Sequence, residues 1–427
     1  MLLLLYPCSR KRAEHTRGVM DPSPSATSRA AARQAQRAAA RRRRRTVVTT
    51  AAAIAGAAVI AAVGFFVALP AFSAPPLMRS AAHTPLSPLV EDPATFTAPA
   101  LLAVAEAGRP ATLTVSAVGD MIFDRQIKTL VVSAGGAAPL AAVASHLKVA
   151  DVTIGNLESP LSTGGVKNAT KDVTFRGDPR GAEGLVASGF DFLSIANNHV
   201  LDYGPDALSD TVAALDARGI AHAGAGANRA AAWKPAVIER DGASVAYLAF
   251  SHILPAGFVA TDSRPGLAAG RNNMDAVATA IRSAKAEHDY VIVSFHWGVE
   301  YQDDANGEQV RDAHAAVDAG ADMVLAHHPH VIQAVEYYKN RLIAYSLGDF
   351  VFDHYSRKTG EAFILDAALG PDGVTDVKVT PVYLDGHGKP EFVTGSEATV
   401  ILDRLKAISA KRSTLVSIDG NTATVTP

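Results

Sequence analysis

The sequence predicts an α/β fold with helices covering both faces of its sheet, and three observations carry that expectation. From residue 111 onward, short apolar runs rich in β-branched residues alternate with alanine-rich stretches of helical character. Apolar residues make up 48% of the chain and charged residues 19%, which allows a large core and argues against global disorder. Clusters rich in Asp, Asn and His stand directly after the apolar runs, and α/β sheets gather ligands outside the carboxyl ends of their strands.

Taken in order, residues 1–45 carry twelve Lys/Arg and two acidic residues, a balance of +10 that leaves −12 for the rest of a chain with net charge −2. A basic head on an acidic body predicts a membrane-anchored protein and argues against nucleic-acid binding. Thr46 to Met78 contains no charged residue, and Val47–Leu69 supplies 23 residues, where about 20 suffice to span a bilayer as a helix. The arginines at 41–45 should stay in the cytoplasm. The expectation is a basic cytoplasmic tail (1–45), a transmembrane signal anchor (46–69) and an extracytoplasmic body at the cell membrane. A cleaved signal peptide is the alternative, since ALPAFSA offers small residues near a cut, but the apolar stretch is long for one. Residues 70–111 contain eight prolines among alanines and read as a semi-rigid, extended linker. The single cysteine, Cys8, excludes a disulfide framework and a cysteine-based zinc site.

The remainder, 112–427, reads as one domain. Strands are predicted at TLTVSAV (112–118), DVTIG (151–155), FDFLSIA (190–196), SVAYLAF (244–250), YVIVSF (290–295), DMVLA (322–326) and RLIAYSL (341–347). Helices are predicted at 204–219 and 272–288 between them, and near 397–408. FILDAAL, TDVKVTPVYL and NTATVT give the tail a stronger strand character.

The polar clusters are GD (119–120), NLE (156–158), NNH (197–199), HWG (296–298), HHPH (327–330) and GD (348–349). If the strands share a sheet and mostly point one way, these clusters converge. Asp120, Glu158, Asn198, His199, His296, His328 and His330 then offer carboxylate, amide and imidazole donors without sulfur, a set suited to Zn, Mn or Fe. In HHPH, Pro329 is expected to hold His328 extended, so that His328 and His330 point the same way and His327 is left as a bystander. In NNHVLDYG, His199 and Asp202 are three apart and can meet across one turn, where the carboxylate would fix the imidazole tautomer and suit it to proton donation.

In order, VGDMIFDR (118–125), IGNLESPL (154–161), SIANNHVLDYG (194–204), VSFHWGVEY (293–301), LAHHPHVIQ (325–333) and AYSLGDFVFD (344–353) resemble the CapA-type family of poly-γ-glutamate capsule biosynthesis proteins, within the calcineurin-like metallophosphatase superfamily. The resemblance implies a four-layer α/β/β/α sandwich and a site for one or two divalent metal ions. It would assign Asp120 and His330 to the first ion, Asn198, His296 and His328 to the second, Glu158 as the bridge, and His199 as proton donor or anion stabiliser. Two positions depart from the superfamily: Ile122 stands where a histidine is usual, and Asn156 where the bridging aspartate follows a glycine. Asp349 stands where the family more often has Asn and could contact metal, substrate or neither. Arg125, Arg176, His252 and Asp349 are candidate substrate contacts, and Trp297 is read as packing.

Three functions follow as expectations. One is an exported, metal-dependent phosphoesterase-like hydrolase. The second, implied by the family, is an envelope protein that helps synthesise or export an anionic polymer together with synthetase or export subunits. The third is a metal- or polymer-binding accessory protein that keeps the fold without turnover.

Overall fold

The computed structural model describes residues 110–427, which form an α/β fold built on two mixed sheets. The expected anchor and nearly all of the linker lie outside the described residues. Among the described residues, no helix is long and apolar enough to cross a membrane.

The chain enters through β1 (Leu113–Met121), β2 (Val152–Leu157), β3 (Phe192–Ser194) and β4 (Ala221–Ala223), which pair in parallel in that order. It then forms β5 (Ala225–Gly226), β6 (Ala236–Arg240), β7 (Ala243–Ser251) and β8 (Gly266–Leu267). β5 and β8 make a small ribbon, whereas β6 and β7 open the second sheet. That sheet is completed by β9 (Tyr290–His296), β10 (Met323–His327), β11 (Val335–Tyr338) and β12 (Arg341–Ala344), in the order β11-β12-β10-β9-β7-β6. Its four central strands are parallel and its two edge strands antiparallel. The chain returns to the first sheet with β13 (Asp349–Val351), β14 (Glu361–Gly370), β15 (Gly373–Leu384), β16 (Pro390–Phe392), β17 (Leu415–Asp419) and β18 (Thr422–Thr426).

Runs of Val, Ile, Phe and Ala make these strands because both faces are covered, and near-continuous apolar sequence is what a doubly covered parallel strand requires. Inward residues of the first sheet (Val115, Ile154, Phe192, Leu365) share one core with Val245, Tyr247, Ile292 and Met323 of the second. Phe192 stacks on Tyr247 at 5.2 Å across this junction. Helices Met274–Glu287 and Gly307–Asp318 add Val277, Ile281, Ala313 and Ala316 to the same core. The helix at 307 starts from an Asn306–Gln309 capping box, which satisfies its first free N–H groups. A second apolar cluster joins Met121, Leu157 and Leu193 to helices Arg125–Ala134, Gly181–Ala187 and Gly204–Asp216.

Two details differ from the sequence expectation. The strands that carry the polar clusters do not share one sheet: β1, β2 and β3 belong to the first, β9 and β10 to the second. The seventh expected strand ends at Ala344, and Asp349 does not trail it but opens β13, opposite Asp120 of β1. Between them the chain passes from sheet to sheet: the Leu347 N–H donates to the Ala326 carbonyl at 3.2 Å, and the Gly348 carbonyl accepts from the Asp120 N–H at 2.9 Å.

Candidate metal centre

Strand register brings the acidic residues together. Asp120 lies opposite Asn156 of β2 on one side and Asp349 of β13 on the other. That spacing needs Gly119, where a Cβ would sit 1.9 Å from the Gly348 carbonyl oxygen. Glu158 follows β2 directly, its N–H donating to the Met121 carbonyl at 2.8 Å. From the second sheet, His296 ends β9 opposite His327, which ends β10. His328 and His330 follow on the next turn.

Glu158 is the hub. Its Oε1 lies 3.6 Å from His296 Nε2, 3.9 Å from His330 Nε2 and 3.9 Å from His199 Nε2. The carboxylate is fully buried, and neither oxygen accepts a hydrogen bond. A buried carboxylate without donors is costly unless something else neutralises it. Burial, with the neighbouring Asp120 charge, pushes its pKa well above the usual carboxylate range. His296 Nδ1 and His328 Nδ1 are likewise buried without a partner. Three overlapping donor sets have all their ligand atoms within 4.8 Å of one another: Glu158, His328, His330; Asp120, Glu158, His296; and Asp120, His330, Asp349. Asn198 Oδ1 lies 2.7 Å from His296 Nε2. These orphaned atoms and mixed oxygen and nitrogen donors fit divalent cations.

The charges around the hub are set by burial and by one another. Burial holds His296 well below the ordinary imidazole value and brings His328 down to about 3. His330 goes the other way: burial would lower it, but Asp349, Glu158 and Asp120 outweigh that and hold it well above. Its Nδ1 is 2.8 Å from Asp349 Oδ1, and burial raises the Asp349 carboxyl to about 6. Asp120 is lowered despite its burial, because His327, His330 and the His328 N–H favour the charged form.

His199 Nδ1 is 2.6 Å from Asp202 Oδ2, which also accepts the Phe175 N–H at 2.7 Å. The hydrogen bond implies an Nδ1–H tautomer with a bare Nε2 turned to Glu158. Burial brings the ring down to about 4, so at rest it is neutral.

The HHPH turn departs from its expected conformation. His328 and His330 have φ of 96° and 55°, so neither is extended. The left-handed backbone is unusual for a bulky residue and marks a strained turn at a functional position. It lets the His328 N–H donate to Asp120 Oδ2 at 3.0 Å while the ring sits 4.8 Å from His296 and 5.9 Å from His330. His327 is buried, with Nδ1 3.3 Å from Asp120 Oδ1, which excludes a surface role.

A cavity of about 250 Å³ opens over the centre, lined by Arg125, Lys171, Phe175, Tyr301, Phe352 and Tyr355 beside His199, His330 and Asp349. Arg125 Nη1 binds Asp353 Oδ2 at 2.6 Å and Tyr355 Oη at 2.5 Å. Arg176 and His252 are not brought to this cavity. Arg176 stacks on Tyr203 at 4.4 Å. His252 turns away to join Glu308 and Asp312, whose carboxylates already meet Arg271 and Arg311 at 3.4 Å and 3.0 Å. Trp297 is fully buried against Phe295 at 4.5 Å, as its packing role requires. A larger cavity, about 760 Å³, lies by helix Gly204–Asp216 and β6, and none of these residues lines it.

The sequence reading missed several contributors, Asn156, Lys171 and Phe175 among them. Asn156, noted only as a departure, donates Nδ2 to Asp120 Oδ1 at 2.7 Å and accepts from Asn197 at 3.1 Å. It thus orients a carboxylate rather than replacing one. Lys171 and Phe175 reach His199 from an irregular segment with no periodic signal. Ile122 is buried with Phe175, Phe352 and Leu384 in an apolar patch.

Fold and site together define a class: an α/β protein whose two sheets meet at a buried centre of carboxylates, imidazoles and an amide. Comparison with known proteins then gives the family, because the profile of the bacterial capsule synthesis protein PGA_cap matches residues 114–354. The chain belongs to that family. It is 33% identical over 291 residues to the capsule biosynthesis protein CapA of Bacillus anthracis, covering 66% of this chain and 70% of that one. It is 31% identical over 272 residues to the PGA biosynthesis protein CapA of Bacillus subtilis (strain 168), covering 63% and 71%. A "probable polyglutamine synthesis accessory protein" of Mycobacterium tuberculosis is 35% identical over 235 residues, covering 53% and 62%.

Proposed function

We propose that this chain is a membrane-anchored, extracytoplasmic accessory protein for the synthesis or export of an anionic polymer of the poly-γ-glutamate type, with a metallophosphatase-type four-layer domain that works as a phosphoesterase-like hydrolase. The names of the two CapA relatives and of the mycobacterial protein support the polymer role. One observation carries the metal-dependent chemistry: Glu158 is buried, accepts no hydrogen bond, and is ringed by the ligand atoms of Asp120, His296, His328 and His330.

In this reading Asp120, His330 and Asp349 would hold one divalent ion and Asn198, His296 and His328 a second, with the Glu158 carboxylate as a further donor. Bound there, the ions would supply the positive charge that neutralises the oxygens of a phosphoryl group. The chain's own residues do the rest. Asp202 fixes the His199 ring through Nδ1 and leaves Nε2 facing the centre. Because the resting ring is neutral, it accepts a proton first and donates one only when an anionic substrate raises its pKa. Phe175 and Phe352 give the cavity an apolar side, and its wall sets two cations, Arg125 and Lys171, among four carboxylates, Asp172, Glu300, Asp349 and Asp353.

Ile122 favours a second reading, a binding protein without turnover, since it puts an apolar side chain where the superfamily usually has a ligand. Metal analysis of the purified protein with a phosphoesterase screen, repeated on His296→Ala, separates the two. One or two tightly held ions with activity lost in the variant support the hydrolase. Full metal content and activity in His296→Ala contradict the assignment.

A further inference from the structure

Lys171 has not been accounted for by the ligand set. It sits on the long irregular segment between β2 and helix Gly181–Ala187, where a lysine would ordinarily face solvent. Here its side chain is only 14% exposed. The ammonium donates to Asp202 Oδ1 and to the backbone carbonyl of Asn198, and lies 3.2 Å from His199 Nδ1. The same segment ties itself to the same turn elsewhere. The Asn168 N–H donates to the Asp202 carbonyl at 2.8 Å, the Val166 N–H to the Tyr203 carbonyl at 3.0 Å, and Phe175 lies 4.3 Å from the His199 ring.

We infer that Lys171 is a positioning residue of the metal centre: its ammonium clamps the Asn198–Asp202 turn from outside, so that the Asn198 amide oxygen faces His296 and the His199 ring faces Glu158. The inference rests on the metal-centre reading above. Asn198 is held at two points, its carbonyl by Lys171 and its side-chain Oδ1 at His296. Without the first, the peptide is free to turn and carries the amide oxygen away from the imidazole. Asp202 is likewise held at both oxygens, Oδ1 by Lys171 and Oδ2 by His199 and Phe175. An apolar replacement would fill the space but leave a buried carboxylate oxygen and a carbonyl without donors. Burial pulls the Lys171 pKa down while Asp202 opposes it, as expected for an ammonium kept inside by a specific partner.

The test compares full-length wild-type, K171M, K171R and K171Q protein by competition titration of Mn²⁺ and Zn²⁺ against a chelating dye, with EDTA-treated samples melted in parallel. Partners behind a metal ligand typically contribute about ten- to a hundredfold in affinity. K171M is expected to lose that factor for one ion, and K171R to recover most of it. K171Q, whose amide is uncharged and too short to reach both the Asn198 carbonyl and Asp202, is expected to lose a smaller part of that factor and gives the comparison if K171M does not fold. Wild-type affinity in a cooperatively melting K171M or K171Q overturns the inference and leaves the metal centre standing. Failure of the wild-type chain to bind either ion removes the metal reading, and the inference with it.

Discussion

Glu158 is the residue on which the centre turns, and its environment makes a sharp prediction. Burial and the Asp120 charge raise its pKa, so without a cation its charged form is disfavoured, and a neutral amide should replace it at little structural cost. Glu158→Gln is expected to keep the stability of the EDTA-treated protein within about 1 kcal/mol while losing divalent-ion binding, checked by urea denaturation and calorimetry. The same shift sets a pH dependence. An entering ion favours the charged Glu158 carboxylate and the bare His330 imidazole, and so works against the raised pKa of each. Affinity should therefore rise with pH, and calorimetry in buffers of different ionisation enthalpy should register proton release. Affinity independent of pH from 5.5 to about 8 would contradict this. His296→Ala removes a ligand outright and should weaken binding more than about tenfold, beyond the low end of what supporting residues contribute.

The elements show why some of this was legible in the sequence and some was not. Asp120, Glu158 and His296 were readable because each ends or follows an apolar run that could only be a buried strand. Both His328 and His330 reach the centre as expected, but the backbone that takes them there was not readable, because Pro329 argues for an extended neighbour and the turn instead adopts positive φ at both histidines. The Asp120–Asp349 pairing was also invisible, since it depends on β13 crossing to the first sheet, a tertiary choice that no local pattern encodes. Lys171 and Phe175 lie on a segment without period, and His252, which did follow a strand, points the wrong way. Close approach of elements gives another test. Gly119→Ala would drive a methyl group into the Gly348 carbonyl, forcing β1 and β13 apart. A loss of about 3 kcal/mol in urea denaturation is expected, at the upper end of the overpacking range.

At the scale of the whole molecule, the two sheets share one core, and the family profile spans 114–354 but not the later strands β14 to β18. β14 pairs directly with β1 and carries β15, which in turn pairs with β16 and β18, so removing these strands should unfold the domain rather than trim it. The N-terminal reading yields a separate expectation. If 46–69 anchors the chain, the protein will pellet with membranes, resist carbonate extraction, and be cut by protease added to spheroplasts. Release of an intact, protease-shielded protein into the soluble fraction would count against both anchoring and outward orientation.

The Leu347–Gly348 crossing bonds to β10 through one residue and to β1 through the next. It is therefore a stitch between the halves of the molecule, set beside ligands that themselves come from both halves. Occupancy of the centre should act as a rivet through that seam, worth about 4 kcal/mol when free ion exceeds its dissociation constant a thousandfold. If the chain is exported before it has picked up cations, its folding would be completed outside the cell. Deuterium uptake at residues 345–349 should slow when Mn²⁺ or Zn²⁺ is added.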